Sequence, residues 1–380
     1  MFDVIIVGAG FAGATLAHKF KQDGKKVLII EKRAQIAGNM YDYLDENKAL
    51  YHQYGPHIFH TENMEVVEYL SQFTQWFDYE HKVSGYVQGK LVPIPFNLTS
   101  IEMVFDKEKA DRLKALLLES YEEGSKVPIL KLKGNENAEI HELAEFIYEH
   151  VFKYYTMKQW GLTPEEIDPA VTGRVPVMVG YDDRYFQNKF QKMPKEGYTK
   201  IFEKMLEGIE VLLNTECRDV IEIIDDQIYF NGELFEGKFI YTGVVDDLMN
   251  YRHGHLPYRS LSFDKQTHEW DYQPNTTVNY PTSASIHPYT RITEYKKMMY
   301  QPSKDKTTIA VEYPKAYTPN TEDIPYYPIF TEENQRKYNV YVEECKKVKN
   351  LYLIGRLAEY RYYDMDAIIA RALSLYEEIK

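Results

Sequence analysis

The first segment of the chain shows a strand–helix–strand pattern of hydrophobic positions. Residues 2–7 form a nearly continuous apolar run, as expected of a parallel strand that is buried on both faces. Apolar residues then recur at helical spacing over residues 12–21, and Gly24 follows as a helix stop. A second apolar run covers residues 26–30. The pattern predicts a βαβ unit, whose crossover is expected to be right-handed.

The pattern changes twice after this unit. Residues 101–155 have helical spacing with charged faces, which predicts a small helical domain. Short runs rich in Thr, Val, Tyr and Ile, broken by Pro, Asn and Asp, cover residues 172–190 and 260–313 and predict an antiparallel sheet. Near the C-terminus, residues 351–354 predict a strand and residues 366–379 predict an amphipathic helix.

Composition and charge exclude several classes of function. The 380-residue chain has a formal net charge of −13 and no run of basic residues, so we do not expect a nucleic-acid-binding protein. Cys217 and Cys345 are too far apart in sequence for a metal or redox motif, and we expect no metal site. The sequence shows no targeting signal and no apolar stretch long enough to cross a membrane, so we expect a soluble, cytoplasmic protein.

A glycine-rich turn supplies the first candidate chemistry. Gly8, Gly10 and Gly13 form the motif G-x-G-x-x-G between the predicted strand and helix, where glycines allow a tight turn and close approach of a pyrophosphate. The N-terminus of the helix favours the phosphate charge. Glu31 ends the second strand, 18 residues after Gly13, where its carboxylate can accept hydrogen bonds from a ribose. We therefore predict a dinucleotide-binding site in a Rossmann-type domain.

NAD and FAD both bind such units, and the C-terminal part of the chain favours FAD. The predicted last strand, Gly355-Arg356 and a helix beginning near Asp366 would bring a second helix N-terminus back to the sheet, which is a common way to hold an isoalloxazine ring. Gly38-Asn39 would similarly let the backbone pass close to the cofactor. The predicted cofactor is FAD.

Four longer strings carry a family resemblance. They are Y-G-P-H-I-F-H-T at residues 54–61, Y-T-M-K-Q-W-G at 155–161, Y-T-R-I-T-E at 289–294 and G-R-L-A-E-Y-R-Y-Y-D-M at 355–365. Together with the glycine-rich turn, they resemble the prokaryotic UDP-galactopyranose mutases over residues 2–373. The resemblance implies that the chain interconverts UDP-galactopyranose and UDP-galactofuranose without net redox change. Reduced FAD would act through N5 as a nucleophile at the anomeric carbon.

The resemblance also assigns roles to single residues. His60 would lie near flavin N5, and Arg174 and Arg291 would clamp the diphosphate with their planar guanidinium groups, so these three are the predicted catalytic residues. Arg174 matches an arginine on a mobile loop, here residues 166–180, while Tyr155 and Trp160 would hold the uridine. The full predicted substrate-binding set is Tyr155, Thr156, Trp160, Arg174, Tyr185, Asn279, Arg291, Tyr327 and Tyr362.

The predicted FAD contacts come from both ends of the chain. The glycine-rich turn and the second strand would hold pyrophosphate and ribose, while His57, Asp364 and Met365 would lie beside the flavin ring. The predicted cofactor-binding set is Gly8, Gly10, Phe11, Gly13, Glu31, Lys32, Gly38, Asn39, His57, Gly355, Arg356, Tyr363, Asp364, Met365 and Asp366. Residues 81–91 do not align clearly with the family pattern, so any sugar contact there is left unassigned.

The predicted fold class is α/β, a Rossmann-type FAD-binding domain with a helical domain and an antiparallel β-sheet domain inserted. The FAD-binding domain would comprise residues 1–83, 195–255 and 330–380. The helical domain would comprise residues 98–165, followed by the mobile substrate loop at 166–180. The sheet domain would comprise residues 84–97, 181–194 and 256–329. The resemblance further implies a homodimer, with a UDP-sugar as substrate and neither nucleic acid nor membrane as a partner.

Three alternatives remain open at the level of sequence. The first is a UDP-N-acetylgalactopyranose mutase, although some relatives that accept the larger sugar carry arginine at the position of His60, which favours unsubstituted galactose. The second is a flavin oxidase or dehydrogenase of the amine-oxidase type, which would have no evident need for Trp160 and Arg291 around a nucleotide. The third is a non-catalytic flavin protein that senses nucleotide sugars.

Overall fold

A five-stranded parallel sheet joins the two ends of the chain. In the computed structural model, which describes residues 2–163, 166, 176–302 and 305–380, the strands lie in the order Glu210–Leu212, Val27–Ile30, Val4–Val7, Lys238–Tyr241 and Leu351–Leu353. Val4–Val7 and Val27–Ile30 are almost entirely buried, which explains their continuous apolar sequence. The predicted βαβ unit is the centre of this sheet.

Alternate side chains of the first strand enter two separate cores. Val4 and Ile6 pack on the face that carries the helices Phe11–Gln22, Met64–Ser71, Tyr198–Met205 and Met365–Ile379. Ile5 points to the opposite face, as the two-residue period of a strand requires. That face carries the helix Glu332–Cys345 and a small antiparallel sheet of Ile221–Ile224, Gln227–Phe230 and Glu233–Leu234.

Helices follow one another between residues 98 and 160, as the sequence predicts. Their bounds are Leu98–Val104, Lys107–Ser120, Ile129–Lys133, Ala138–Ile147 and Tyr154–Trp160, with a π-helical turn, Tyr148–Lys153, before the last one. The side chains of Asn97, Asp106 and Asn137 each accept hydrogen bonds from N–H groups in the first turn of the helix that follows. These caps explain where three of the helices begin.

A seven-stranded sheet forms the second inserted unit. Its strands lie in the order Tyr327–Pro328, Tyr258–Glu269, Lys306–Ala316, Arg291–Glu294, Thr277–Asn279, Val83–Val87 and Lys90–Ile94. The pairings are antiparallel, as predicted, except that Thr277–Asn279 runs parallel to Val83–Val87. The chain passes through the helical unit between these two strands, so no hairpin forces them to be antiparallel.

Smaller elements connect the units. Short sheets pair Phe190–Pro194 with Phe59–Thr61 and Trp76–Asp78, Asp42–Leu44 with Leu50–His52, and Lys126–Val127 with Val177–Met178. Short helices are Gly38–Met40, Cys217–Val220, Val245–Leu248 and Tyr295–Met298. Because Phe190–Pro194 pairs outside the seven-stranded sheet, the domain boundaries stay predictions. Within the described ranges, no helix is both long and apolar enough to cross a bilayer.

Candidate functional site

A cleft of about 710 Å³ lies where the three units meet. The parallel sheet contributes Gly8 and Gly10, which follow the carboxyl end of its first strand. The seven-stranded sheet contributes Asn279 and Arg291, and the helical unit contributes Tyr155. Because ligands of α/β proteins bind at the carboxyl ends of parallel strands, this cleft is the candidate functional site.

Gly10 and Gly38 bring two backbone segments into contact in the cleft. A Cβ atom on Gly38 would lie only 2.9 Å from the Cα of Gly10, and Gly38 has a φ of +54°. Gly8, with a φ of +100°, makes the tight turn after the first strand. A larger residue at either position would strain the backbone. The result is the exposed-backbone turn at a helix N-terminus that a pyrophosphate requires.

Glu31 is held rigidly beside this turn. Its Oε2 accepts a hydrogen bond from the N–H of Ala9 at 2.8 Å, and its Oε1 accepts one from the N–H of Arg33 at 2.9 Å. Each carboxylate oxygen can accept a second bond. The side chain lines the cleft although Glu31 is only 5% exposed. This placement is compatible with the predicted contact to a ribose.

Arg356 organises the loop that enters the C-terminal helix. Its guanidinium donates to the carbonyl oxygens of Tyr326 at 3.2 Å and Tyr363 at 2.5 Å. The same group lies 5.2 Å from the ring centre of Tyr327 and 4.5 Å from that of Tyr362, which are cation–π distances. The loop thereby brings the N-terminus of Met365–Ile379 to the cleft, as the sequence predicts.

Arg291 is a fixed cation on the wall formed by the seven-stranded sheet. Its Nε donates to Oε2 of Glu312 at 2.8 Å, and the two side chains are 24% and 2% exposed. Burial opposes the charge of Arg291, but Glu312 and the phenols of Tyr155 and Tyr327 hold its pKa well above its usual range. The guanidinium therefore stays charged near neutral pH.

The helix Tyr154–Trp160 is held in place by two buried cations. Lys158 donates from Nζ to three carbonyl oxygens, those of Tyr280 at 2.6 Å, His287 at 3.0 Å and Tyr289 at 2.6 Å. Arg259 donates to the carbonyl oxygens of Gln159 at 2.8 Å and Lys158 at 3.0 Å. Burial lowers the pKa of Lys158 to about 8. Because residues 280–289 lead into the strand of Arg291, these bonds fix that strand relative to Tyr155.

Two histidines face the cleft from the segment 54–61. His60 stacks on Phe186 with a ring separation of 3.6 Å, and its Nδ1 lies 3.0 Å from Oδ1 of Asn188. Burial lowers the pKa of His60, and it lowers that of His57 well below its usual value. Both rings are therefore neutral near pH 7. Nδ1 of His57 is buried and has no hydrogen-bond partner among the residues that the structure describes.

Most of the predicted residues line this one cleft. They are Gly8, Gly10, Phe11, Glu31, Lys32, Gly38, Asn39, His57, His60, Tyr155, Tyr185, Asn279, Arg291, Tyr327, Gly355, Arg356, Tyr362, Tyr363, Asp364 and Met365. Gly13, Thr156, Trp160 and Asp366 are outside its lining; Trp160 packs against Tyr327 with a ring separation of 5.8 Å, and Asp366 accepts from Thr61 at 2.6 Å. Arg174 lies outside the described residues.

Sequence reasoning missed part of the lining. Residues 215–218 and 242–244 follow the strands Glu210–Leu212 and Lys238–Tyr241 at the carboxyl edge of the parallel sheet. The pattern of hydrophobic positions predicts neither strand, so this part of the carboxyl edge was not predicted. His81 also lines the cleft, from the segment that does not align clearly with the family. A histidine just before residues 84–97, which are predicted to belong to the sheet domain, was the available signal there.

Comparison with known proteins places the chain among the proteins that share this architecture. The family model described as UDP-galactopyranose mutase matches residues 150–362, and that of an NAD(P)-binding Rossmann-like domain matches residues 6–73. A UDP-galactopyranose mutase of Mycoplasma genitalium is 36% identical over 386 aligned residues, covering 100% of this chain and 95% of that protein. The chain belongs to the UDP-galactopyranose mutase family. The predicted family, fold class and isomerase class are confirmed.

Other matches include sugar-nucleotide mutases and an amine oxidase. A dTDP-fucopyranose mutase of Escherichia coli is 34% identical, covering 98% of this chain and 97% of that protein. The crystal structure of a reduced UDP-galactopyranose mutase matches with a TM-score of 0.73 at 16% identity, over 100% of this chain and 94% of the other. A putrescine oxidase variant has the same fold, with a TM-score of 0.60 at 11% identity over 100% and 98% of the two chains. The family and these neighbours imply a flavin cofactor.

Proposed function

We propose that this member of the UDP-galactopyranose mutase family interconverts UDP-galactopyranose and UDP-galactofuranose, with FAD as its cofactor. One observation carries the proposal: a glycine turn suited to a pyrophosphate and a permanently charged guanidinium, that of Arg291, line a single cleft. A dinucleotide on one wall and a nucleotide diphosphate on the other account for both features.

The residues of the parallel sheet fit FAD. Gly38 can lie against the Cα of Gly10 only because it has no Cβ atom, and the exposed backbone of this turn suits a pyrophosphate. Glu31 lies beside the same turn, where a ribose would follow. The N-terminus of Met365–Ile379 adds a second positive helix end for a reduced, negatively charged flavin. Bound and reduced, FAD would supply a nucleophile for the anomeric carbon and return to its starting state without net redox change.

Arg291 would bind the diphosphate throughout the reaction. Its Nε is used by Glu312, and a guanidinium carries four further N–H donors on its two Nη atoms, which suit phosphate oxygens. The negative charge on the diphosphate grows as the bond to the sugar breaks, so a fixed cation stabilises the transition state more than the bound substrate. Arg174 is proposed to join Arg291 from the loop at residues 166–180.

Tyrosines would complete the substrate site without adding charge. Tyr155, Tyr185, Tyr327 and Tyr362 line the same cleft as Arg291 and present phenol groups that can donate to phosphate or sugar oxygens. Burial raises the pKa of Tyr155, so this phenol keeps its proton. Trp160 is proposed to hold the uracil through its contact with Tyr327 at the edge of the cleft.

His60 would handle a proton in the cleft. With its Nδ1 hydrogen-bonded to Oδ1 of Asn188, the ring carries its hydrogen on Nδ1 and keeps Nε2 as an acceptor. Its lowered pKa makes this neutral form the dominant one near pH 7. A neutral imidazole that lies parallel to Phe186 has a defined orientation, which a proton acceptor requires.

A dTDP-linked 6-deoxy sugar is the second candidate substrate. The observation in its favour is the Escherichia coli dTDP-fucopyranose mutase, which covers nearly the whole chain at an identity close to that of the UDP-galactopyranose mutases. A UDP-linked N-acetylated galactose stays a further alternative substrate. The presence of His60 instead of arginine predicts a preference for the unsubstituted sugar. The predicted homodimer and cytoplasmic location also stay predictions.

The deciding experiment compares substrates with and without reduction. The purified protein, with its flavin identified by mass after denaturation, is incubated with UDP-galactofuranose or dTDP-fucofuranose, with and without dithionite, and the pyranose is measured by chromatography. We expect conversion of the UDP-sugar only under reduction. Faster conversion of the dTDP-sugar would show that the preferred substrate is the dTDP-linked sugar and not the UDP-linked one. Conversion of neither sugar, together with peroxide release from an amine, would replace the mutase reaction by an oxidase reaction.

A further inference from the structure

Two buried polar atoms on one strand of the seven-stranded sheet have no partner among the described residues. Oγ1 of Thr277 and Oδ1 of Asn279 are buried, and neither has a hydrogen-bond partner within the described part of the chain. The two residues are two positions apart on the strand Thr277–Asn279, so both side chains point to the same face. That face lines the cleft. Buried hydroxyl and amide groups are normally paired, so this pair indicates a ligand contact.

The location of the pair relates it to the sugar. Asn279 is directly opposite Arg291 in the strand pairing. Oδ1 of Asn279 and Oγ1 of Thr277 therefore lie on the same wall of the cleft as Arg291, the proposed ligand of the diphosphate. On the other side, Thr277 is next to Val83, whose apolar side chain also lines the cleft and offers no hydrogen bond. Thr277 is only 3% exposed. A group that emerges from the diphosphate along this wall therefore meets Asn279 first and Thr277 second.

We propose that Thr277 is a specificity-determining residue whose hydroxyl binds one hydroxyl group of the sugar, beside Asn279. The proposal rests on the proposed function, because it takes a nucleotide sugar as the ligand. A threonine hydroxyl can donate and accept at once, so it suits a sugar hydroxyl and discriminates against a sugar that lacks it. The hydroxyls at positions 2, 3 and 6 of galactose are available for this contact, because the 4-hydroxyl closes the furanose ring in the reaction.

Thr277→Val tests the contact because it keeps the shape of the side chain and removes only the hydroxyl. Rates are measured with UDP-galactopyranose and with its 2-deoxy, 3-deoxy and 6-deoxy analogues, for the wild type and the variant. We expect the variant to lose about tenfold in kcat/KM for UDP-galactopyranose, the size of one neutral hydrogen bond. With the analogue that lacks the contacted hydroxyl, the variant and the wild type should be equal.

Thr276→Val is the matched control. Thr276 directly precedes the strand Thr277–Asn279, but its hydroxyl lies 2.7 Å from the phenol of Tyr79 and outside the lining of the cleft. This control variant should melt at a lower temperature than the wild type while treating all four sugars like the wild type. Thr277→Val should melt close to the wild type, because its hydroxyl has no partner among the described residues.

Two results would overturn the proposal. One is an equal loss with all three analogues, which would show that Thr277 does not contact a single sugar hydroxyl. The other is an unchanged rate with UDP-galactopyranose. Equilibrium titration of the oxidised protein with UDP and with UDP-galactose separates this proposal from the proposed function. If the wild type converts no substrate while Thr277→Val still weakens binding of UDP-galactose and not of UDP, the result would support the sugar contact of Thr277 and contradict the proposed reaction.

Discussion

Arg291 is paired with Glu312 across neighbouring strands, through one hydrogen bond of 2.8 Å between Nε and Oε2. The side chain of Glu312 is almost completely buried, so its carboxylate is paired with Arg291 and is shielded from solvent. Glu312→Gln keeps the shape of the pair and leaves the charge of Arg291 without compensation. We expect a loss of about 3 kcal/mol in the free energy of unfolding, because breaking a buried ion pair is costly.

Glu343→Gln is the control for this change. Glu343 pairs with Lys346 at 2.6 Å on the surface of the helix Glu332–Cys345, where both side chains are more than half exposed. An exposed pair of this kind contributes less than about 1 kcal/mol. Urea unfolding of both variants measures the difference. Equal losses would show that Arg291 does not depend on Glu312.

Removal of the guanidinium tests the clamp itself. We expect Arg291→Ala to lower kcat/KM by about two to three orders of magnitude, the usual loss for one group that stabilises a developing charge. The flavin should stay bound, because the glycine turn lies on the other sheet. Arg336→Ala, at an exposed position of the helix Glu332–Cys345, is the control and should be close to the wild type. A rate near normal for Arg291→Ala would remove this residue from the reaction.

Gly38→Ala should remove the flavin. The added Cβ would meet the Cα of Gly10 at 2.9 Å, and the φ of +54° disfavours alanine in any case. Gly232→Ala separates these effects, because Gly232 has a φ of +80° but the added group would have no other atom of the described residues within 4 Å. The visible flavin absorbance of the purified proteins is the measurement. If purified Gly38→Ala keeps its flavin absorbance, the flavin does not bind at the turn formed by Gly10 and Gly38.

The buried histidine His81 should make the protein less stable in acid. Burial, with Arg291 and His60 nearby, lowers the pKa of His81 to about 3, whereas an unfolded histidine titrates near 6.5. Between these values the unfolded chain binds the additional proton. The stability from the neutral ring is therefore complete above pH 6.5 and is lost as the pH falls, by about 1.4 kcal/mol per pH unit.

His81→Gln isolates this contribution from those of the other buried histidines. Urea unfolding at pH 6.5 and at pH 5 gives the loss for each protein. We expect the loss in the variant to be smaller than in the wild type by about 2 kcal/mol, which is the effect of one such group over this interval. An identical loss in both proteins would contradict a neutral, buried His81.

Asn188→Asp should change the pH dependence of the rate. A carboxylate 3.0 Å from Nδ1 of His60 would favour the protonated ring and raise its pKa. If the neutral ring is the active form, the acid limb of the profile of kcat/KM against pH moves to higher pH. Asn188→Ala lacks the added charge and should not show this upward shift. An unmoved limb in Asn188→Asp would exclude proton transfer by His60.

The agreement between sequence and structure is greatest where the signals are local. The turn at Gly8 and Gly10 is a short motif whose backbone requirement does not depend on the rest of the chain. The π-helical turn before Tyr155 and the parallel pairing of Thr277–Asn279 were not predicted. Both depend on how the inserted units pack, which the periodicity of hydrophobic positions does not report.

The amino-acid sequence by itself determined the βαβ unit, the cofactor turn and the family, because each is recognised from short strings whose own residues are adjacent in the chain. Only the tertiary structure decided that Glu312 is the partner of Arg291, that Lys158 fixes the helix of Tyr155, and that Thr277 faces the cleft. These relationships join strands and helices that are distant in sequence. The first and the third depend on strand register, because a shift of one residue would turn the side chain of Arg291, Glu312 or Thr277 to the opposite face of the sheet. The second depends on how the helix Tyr154–Trp160 packs against residues 280–289.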